Sequence, residues 1–384
     1  MNVAVGVVSI YENWRKRTLV SELKEDVALF LSDCAVSASI VVTPLFARSL
    51  GASNFEIGLI GAIYGLSLLV SSYVSGWVSD VFSRGKLLKA SMAIAAIVFP
   101  LHALSPTPLH LLVVRGLSGV CAGVYPTVLA VQGYERRGRL GRLISFGALG
   151  WGFGSLFISF AYSYRDVFIS SGALFALGFL ISLKLDVKDV KLEVPLLPVD
   201  VIKRGLPVYV SFLIRHTSAN AVWAIFPLFL EEVGANEFWI GVIYAINTFS
   251  QFAIMPLIDR FRSGRLVSWG LIFSTVTFLA YLVSGSYIHV LPAQLLLALS
   301  WSLLYIGSLT YVAEKGNERG TAVGFLGTVR GLATTVGPII GGTISQIYGY
   351  RSTMIFAVAG CAAALASFLL LTLQRRRAPP SSAN

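Results

Sequence analysis

The chain has 384 residues, of which 55% are hydrophobic and 13% are charged, and its formal net charge at pH 7 is +11. An average soluble domain carries about 25% charged residues, so this composition excludes an ordinary soluble protein and predicts a chain that lies mostly in a lipid bilayer. The three cysteines and four histidines have neither a disulfide pattern nor the spacing of a metal site, so we predict no metal and no other cofactor.

Twelve apolar runs are long enough to cross a bilayer as helices, which requires about 20 apolar residues each. In chain order, spans 1 to 12 cover residues 27–47, 55–76, 87–105, 108–131, 143–164, 167–185, 206–230, 238–258, 265–285, 289–312, 321–346 and 352–373. The runs lack the period-two alternation of a membrane β-barrel. The sequence therefore predicts an all-α membrane protein with twelve transmembrane helices.

The polar segments divide the chain into five parts. We predict that residues 1–25 are not a cleavable signal peptide, because their short apolar stretch comes before the basic residues instead of after them and no small-residue cleavage site follows it. The longest polar connection separates spans 1–6 from spans 7–12 and is too short to hold a soluble domain. We therefore predict an N-terminal segment (1–26), a six-helix bundle (27–185), a linker (186–205), a second six-helix bundle (206–373) and a tail (374–384).

The basic residues predict how the chain is oriented. If the N-terminus is cytoplasmic, 24 of the 30 Lys and Arg residues lie on the cytoplasmic side, three lie in outer loops and three lie within spans. Cytoplasmic loops are enriched in these residues, so we predict a multi-pass protein of the cell membrane with both termini in the cytoplasm. This topology explains the basic net charge, and we predict no nucleic-acid partner.

The two halves of the chain repeat one another. Residues 44–63 align without gaps to residues 227–246, with eleven identities in twenty positions and an offset of 183. Residues 80–88 match residues 259–267 at an offset of 179. Because six spans separate the copies, both enter the membrane from the same side, which makes them parallel repeats related by an axis along the membrane normal.

Two motifs accompany the repeat. GWVSDVFSRGK follows span 2 at residues 76–86, and RGLSG lies in span 4 at residues 115–119. With these motifs the chain resembles the Major Facilitator Superfamily, whose loop 2–3 motif reads roughly G-x-L-x-D-R-x-G-R-K and whose fourth span carries Arg-x-x-x-Gly. Gly76, Asp80 and Arg84 match, whereas Val81 stands where the family has Arg. The resemblance covers nearly the whole chain and implies a secondary transporter of two six-helix halves.

One carboxylate lies deep within the predicted spans. Asp33 is the only acidic residue well inside a span, and its repeat equivalent is His216, beside Arg215. Charges inside a bilayer are costly and are usually functional, so Asp33 is a candidate proton-coupling residue. The alternative is a permanent structural pair or a hydrogen bond to a neighbouring helix.

Other polar residues line up on single faces of their spans at helical spacing. In lipid their donors and acceptors would be unsatisfied, so we expect them to face a central cavity; the alternative is hydrogen bonding between helices without ligand contact. Three arginines outnumber the single carboxylate, which indicates an anionic substrate or a well-hydrated cavity. The candidate proton-coupling or substrate-cavity residues are Asp33, Arg115, Tyr125, Arg215, His216, Asn220, Trp223, Asn247, Gln251, Trp301, Tyr305 and Arg330.

A second candidate site is a cytoplasmic gate. The resemblance implies that Asp80 lies near the N-terminus of span 11, where a carboxylate would favour the helix dipole and pair with basic residues of loop 4–5, namely Arg136, Arg137, Arg139 and Arg142. Breaking that contact would loosen the closure between the halves. The candidate gate residues are Gly76, Asp80, Arg84, Lys86, Asp259, Arg260 and Arg265.

The function we predict is alternating-access transport of a small molecule, with a proton-coupled exporter of the drug or metabolite efflux type as the leading hypothesis. An uptake carrier or uniporter for an organic anion or sugar is the alternative within transport. A membrane sensor with a transporter fold is the alternative of another class. The chain has no HExxH and no paired carboxylates, so we predict no enzyme. The expected partners are a small-molecule substrate, protons and the lipid bilayer, and we expect a monomer.

Overall fold

The computed structural model describes residues 2–52, 54–157, 163–196, 198–258 and 260–377. Within these ranges the chain forms thirteen α-helices, one short 3₁₀ helix and no strand. The helices of the first half are α1 (Asn2–Ser49), α2 (Asn54–Val81), α3 (Arg84–Leu101, followed by the 3₁₀ helix His102–Leu104), α4 (Pro108–Arg137), α5 (Gly141–Phe157) and α6 (Tyr164–Ser182). Those of the second half are α7 (Val199–Trp223), α8 (Phe226–Glu232), α9 (Glu237–Ile258), α10 (Ser263–Val283), α11 (Tyr287–Ala313), α12 (Arg319–Tyr348) and α13 (Tyr350–Arg377).

The all-helical prediction is confirmed, and each predicted span overlaps a helix. The count of twelve is not exact, because span 7 is broken at Ala224 and Ile225 into α7 and α8. The break precedes Pro227, which has no backbone N–H and so cannot continue the hydrogen-bond ladder of α7.

Nine helices in the described part of the chain are long and apolar enough to cross a membrane. The three remaining predicted spans correspond to α5, α7 and α9. Helix α5 is described only as far as Phe157, the apolar stretch of α9 is shorter, from Val242 to Ile258, and α7 carries four charged residues.

Side chains in the connecting segments cap the N-termini of several helices. Ser83, Thr107, Ser163 and Ser286 each accept a hydrogen bond from a backbone N–H in the first turn of α3, α4, α6 and α11. The first-turn N–H groups of a helix have no partner within it, so such caps stabilise the helix start. The polar residues between the apolar runs therefore determine where these helices begin.

Helices α1–α6 pack mainly against one another, as do α7–α13, and the halves meet where α2 packs on α12 and α5 packs on α9. Glycines permit the α2–α12 approach. A Cβ added at Gly76 would lie 2.5 Å from the carbonyl oxygen of Gly320, and one at Gly324 would lie 2.7 Å from the Cα of Gly76. Backbones can come this close only where side chains are absent.

The connection between the halves is bound to the first half. Trp77 Nε1 donates to the carbonyl of Val194 at 2.8 Å, and the hydroxyl of Tyr73 donates to the carbonyl of Leu196. The backbone N–H of Leu192 donates to the carbonyl of Asp80 at 2.9 Å. Helix α7 begins at Val199, so the last part of the predicted linker is helical.

Candidate functional site

Asp33 and Tyr125 form a hydrogen-bonded pair inside the first half. The Tyr125 hydroxyl donates to Asp33 Oδ1 at 2.5 Å, bridging α1 and α4. A Cβ added at Gly147 of α5 would lie 2.5 Å from Asp33 Oδ2, so the glycine leaves room for the carboxylate between α1 and α5. Tyr125 is buried, while Asp33 is half-buried. The carboxylate is thus held by one neutral donor instead of by a cation in direct contact.

A ladder of aromatic rings leads to Arg330 in the second half. His216 of α7 stacks on Trp301 with ring centroids 5.2 Å apart, and Trp301 stacks on Tyr305 at 4.9 Å with the planes 9° apart. Arg330 of α12 donates from Nη1 to the Tyr305 hydroxyl at 3.4 Å. Flat rings and a planar guanidinium present both apolar surface and positive charge.

Arg330 connects the two groups electrostatically. Its guanidinium interacts electrostatically with Asp33, Tyr125 and His216. Arg330 and Tyr305 also line a cavity of about 50 Å³ between α2, α4, α11 and α12. This volume accommodates a few water molecules, but binding sites for small molecules are typically about 300–1,000 Å³. In this conformation the cavity is therefore too small for a small-molecule substrate.

The other two predicted cavity arginines donate to serines of their own halves. Arg115 Nη1 donates to Ser39 Oγ at 3.1 Å, and its guanidinium lies 4.0 Å from the ring centre of Tyr64. Arg215 Nε donates to Ser274 Oγ at 2.9 Å and Nη2 donates to Ser300 Oγ at 3.4 Å. In the described part of the chain, none of the three predicted cavity arginines has a carboxylate within 4.0 Å.

The structure does not bring four other predicted cavity residues to Arg330. Asn220 Nδ2 donates to the carbonyl of His216 at 2.8 Å, within α7. Trp223 packs edge-on against Phe226 at 5.2 Å. Gln251 Nε2 donates to Asn247 Oδ1 at 2.6 Å, within α9. These side chains make local and packing contacts, which helical spacing alone could not distinguish from ligand contacts.

Asp80 joins the two halves at the predicted cytoplasmic end of α2. Its Oδ1 accepts from the backbone N–H of Gly320 at 3.1 Å and its Oδ2 from that of Thr321 at 2.8 Å. Both donors belong to the first turn of α12, which carries the positive end of the helix dipole. The wholly buried Asp80 also accepts from Arg84 Nη2 at 2.9 Å.

Glu135, which is not among the predicted gate residues, extends this contact. Arg84 Nη1 lies 2.8 Å from Glu135 Oε2, and Arg319 Nη1 lies 3.4 Å from Glu135 Oε1. Glu135 of α4 therefore bridges a cation of its own half and one of the other half. Glu135 is the single acidic residue in the basic stretch 134–142. This position among arginines was the feature of the sequence that could have identified it as a candidate for an ion pair.

The predicted pairing of Asp80 with the arginines of loop 4–5 is wrong. Arg136 and Arg137 each lie 3.0 Å from Glu25, and Arg137 and Arg142 lie 2.6 Å and 3.0 Å from Asp26. Asp80 instead pairs with Arg84, which is four residues away and begins α3. Glu25 and Asp26 were assigned to the segment before span 1, yet both side chains are wholly buried.

The remaining gate candidates make fewer contacts. Lys86 is exposed, and its backbone N–H donates a hydrogen bond to the N-cap residue Ser83 at Oγ, at 3.3 Å. Arg260 is exposed beside the ring of Phe261, and Arg265 is exposed in the first turn of α10. Asp259 lies outside the described residues. The described part of the second half therefore offers no counterpart to the Asp80 contact.

Comparisons with known proteins agree with this architecture. The sequence profile described as Major Facilitator Superfamily matches residues 27–206 and 208–384. The multidrug resistance protein MdtG of Escherichia coli is 25% identical over 407 aligned residues, which cover 96% of this chain and 97% of that protein.

Solved structures show the same fold at low sequence identity. The human organic anion transporter MFSD10 (TETRAN) has a TM-score of 0.77 and 14% identity, covering 92% of this chain and 99% of that chain. The nucleoside transporter NupG has a TM-score of 0.61 and 13% identity, with 92% and 99% covered. With the family profile spanning both halves, this multi-pass membrane protein belongs to the Major Facilitator Superfamily of transporters.

Proposed function

We propose that this transporter carries small organic anions with an aromatic or apolar body, and that it couples their movement to protons through Asp33 in the cell membrane. The observation that carries the proposal is the position of Arg330. It lies at the end of the ring ladder, has no ion pair among the described residues and is within electrostatic range of Asp33. A carboxylate or phosphate of the substrate would bind this guanidinium while its body packs on Trp301 and Tyr305.

The same arrangement predicts whether the proton and the substrate move in the same direction or in opposite directions. An ionised Asp33 competes with an anionic substrate for Arg330, because both are attracted to the same positive charge. Protonation of Asp33 removes that competition and strengthens anion binding, so proton and substrate bind together. Movement of both in the same direction follows from this linkage.

A second candidate, the exporter that exchanges its substrate for protons, is supported by the similarity to a multidrug resistance protein. A cationic or lipophilic drug would bind the ionised Asp33 directly and would be displaced when a proton arrives. In that case the proton gradient drives the substrate the opposite way. The two candidates therefore differ in the direction in which a proton gradient drives the substrate, and this direction can be measured.

The test is transport by the purified protein in liposomes with an imposed pH gradient. For the anion carrier, acid outside accelerates uptake of an aromatic carboxylate, and Asp33→Asn abolishes this acceleration while exchange of labelled for unlabelled anion survives. Arg330→Gln raises the KM for the anion at least about tenfold, as expected for loss of a charged hydrogen bond. Uptake of a cationic dye driven by acid inside, unaffected by Arg330→Gln, would favour the exporter and refute the anion carrier.

A further inference from the structure

An open groove of about 880 Å³ lies at one end of the second half, away from the cavity beside Arg330. It is formed by the first turns of α10, the end of α11 and the last turns of α13, with Arg204 of α7 at its edge. These helix ends lie on the side predicted to be cytoplasmic. The proposed transport mechanism makes no use of this groove.

Basic side chains form one part of the groove. Arg262, Arg265 and Lys315 are exposed there. The acidic residue of the lining, Glu314, accepts a hydrogen bond from Ser263 Oγ at 2.5 Å. Arg204 is paired with Glu318 at 2.6 Å. Lys315 Nζ also lies 4.8 Å from the ring centre of Tyr311. Among the described residues of the lining, three exposed cations thus lie beside one engaged carboxylate, and their summed charge is positive.

The start of α10 adds to this positive field. Arg262 is its N-cap residue, and no side chain in the described part of the chain caps the first turn. Its N–H groups and the positive end of the dipole therefore favour an anion at this end of the groove. In the first half, by contrast, Ser83 caps the corresponding start of α3.

Apolar surface continues the groove toward the membrane interior. Trp269 is 53% exposed, and Leu369 and Leu373 are 46% and 50% exposed. Trp269 follows Arg265 by four residues, so it lies about 6 Å further along the α10 axis. Cations followed within one turn by a tryptophan and leucines match the change from headgroup to acyl chain across a lipid leaflet.

We propose that this groove binds an anionic phospholipid of the adjoining leaflet. Arg262, Arg265 and Lys315 hold the phosphate, and the glycerol and upper acyl chains lie along Trp269 and the α13 leucines. Charge complementarity selects an anionic headgroup. The exposed apolar surface selects a lipid over a free phosphate, which would gain nothing from contact with Trp269 or the leucines.

The experiment is native mass spectrometry of the full-length protein in detergent, titrated with palmitoyl-oleoyl phosphatidylglycerol or with the phosphatidylcholine of the same chains. We expect preferential retention of phosphatidylglycerol. Each of Arg262→Gln, Arg265→Gln and Lys315→Gln should weaken it about fivefold, from about 1 kcal/mol for each cation near a lipid surface. Trp269→Ala should weaken retention of the lipid without any change in charge.

The control is the pair Lys188→Gln and Lys191→Gln, two exposed linker cations on the same predicted side. Thermal unfolding without added lipid checks that every variant is folded. Equal retention of both lipids, equal loss in the control, or displacement of the lipid by millimolar inorganic phosphate would overturn the proposal. A dimer that forms through this face and excludes the lipid would also overturn it.

Discussion

Asp80 of α2 accepts a hydrogen bond from the backbone N–H of Thr321 in α12 at 2.8 Å, 241 residues further along the chain. The carboxylate is wholly buried, so this bond and its partner at Gly320 cap a helix of the opposite half. A cap normally stabilises its own helix; here it also holds two halves together. Separation of the halves at this end must break the cap.

Replacing Asp80 with Asn should weaken this closure. The amide keeps an oxygen acceptor but loses the charge that favours the α12 dipole and Arg84, which we expect to cost about 2 kcal/mol. Hydrogen–deuterium exchange at Gly320 and Thr321 should then accelerate about 30-fold. Asp189→Asn is the control, because Asp189 is exposed and, among the described residues, accepts a single hydrogen bond, from the Gly85 N–H at 3.3 Å. Unchanged exchange at α12 in the Asp80 variant would contradict the capping role.

Gly76→Ala should disrupt the crossing of α2 and α12. The new Cβ would lie 2.5 Å from the Gly320 carbonyl oxygen, so the helices must move apart, and overpacking of this kind costs about 1–3 kcal/mol. Gly61→Ala is a matched control on the same helix, where a Cβ meets nothing within 4 Å and should be neutral or slightly stabilising. Thermal unfolding distinguishes the two; equal Tm values for Gly76→Ala and Gly61→Ala would show that the crossing tolerates a methyl group.

Arg137→Ala should destabilise the first half. Arg137 lies 2.6 Å from Asp26 and 3.0 Å from Glu25, so its loss leaves buried carboxylates short of positive charge, at a cost of about 3–5 kcal/mol. Arg137→Lys keeps the charge without the forked geometry of the guanidinium, so its Tm should lie between those of Arg137→Ala and the wild type. Arg139→Ala, in the same loop and exposed, should leave the Tm unchanged. A Tm for Arg137→Ala near that of Arg139→Ala would contradict a stabilising ion cluster.

Arg215→Lys should change the thermal stability of the protein, whereas Arg330→Lys should change the KM for the substrate. Arg215 donates to two serines deep in the second half, and an ammonium group cannot reproduce both bonds, so its variant should lower the Tm and leave the substrate KM unchanged. Arg330 has one long bond to Tyr305, so its variant should keep the Tm and raise the KM. Thermal unfolding and liposome transport measure the two quantities. An unchanged KM in Arg330→Lys, or a raised KM in Arg215→Lys, would reverse these assignments.

Much of the helical architecture was predictable because the bilayer imposes it. Each run such as residues 108–131 must satisfy its own backbone within the membrane, and a helix does so locally. The start of α4 at Pro108 agrees with the prediction, since it depends on Thr107 and on neighbouring residues. Span 7 differed because the chain breaks before Pro227, whereas Pro126, Pro207 and Pro256 lie inside continuous helices. The presence of a proline in the sequence therefore does not predict whether a span is broken.

The candidate site was predictable in part. The cost of a buried charge made Asp33 and the arginines stand out from the sequence, but not which of them meet. Arg115, Arg215 and Arg330 look alike in apolar runs, yet two donate to serines of neighbouring helices, whereas Arg330 lines the cavity that the described residues form between the halves. Those partners are 59 to 85 residues away in sequence.

The class of protein follows from residue order along the chain, because hydropathy, the distribution of basic residues and the repeat are all properties of that order. The pairings, in contrast, required the folded structure: Asp80 with the start of α12, Glu135 between the halves, and Glu25 and Asp26 with arginines at the end of α4 and the start of α5. Each pairing depends on distances between side chains that lie on different helices. Those distances follow from how the helices pack, and glycines such as Gly76 and Gly320 allow the close approach that packing requires.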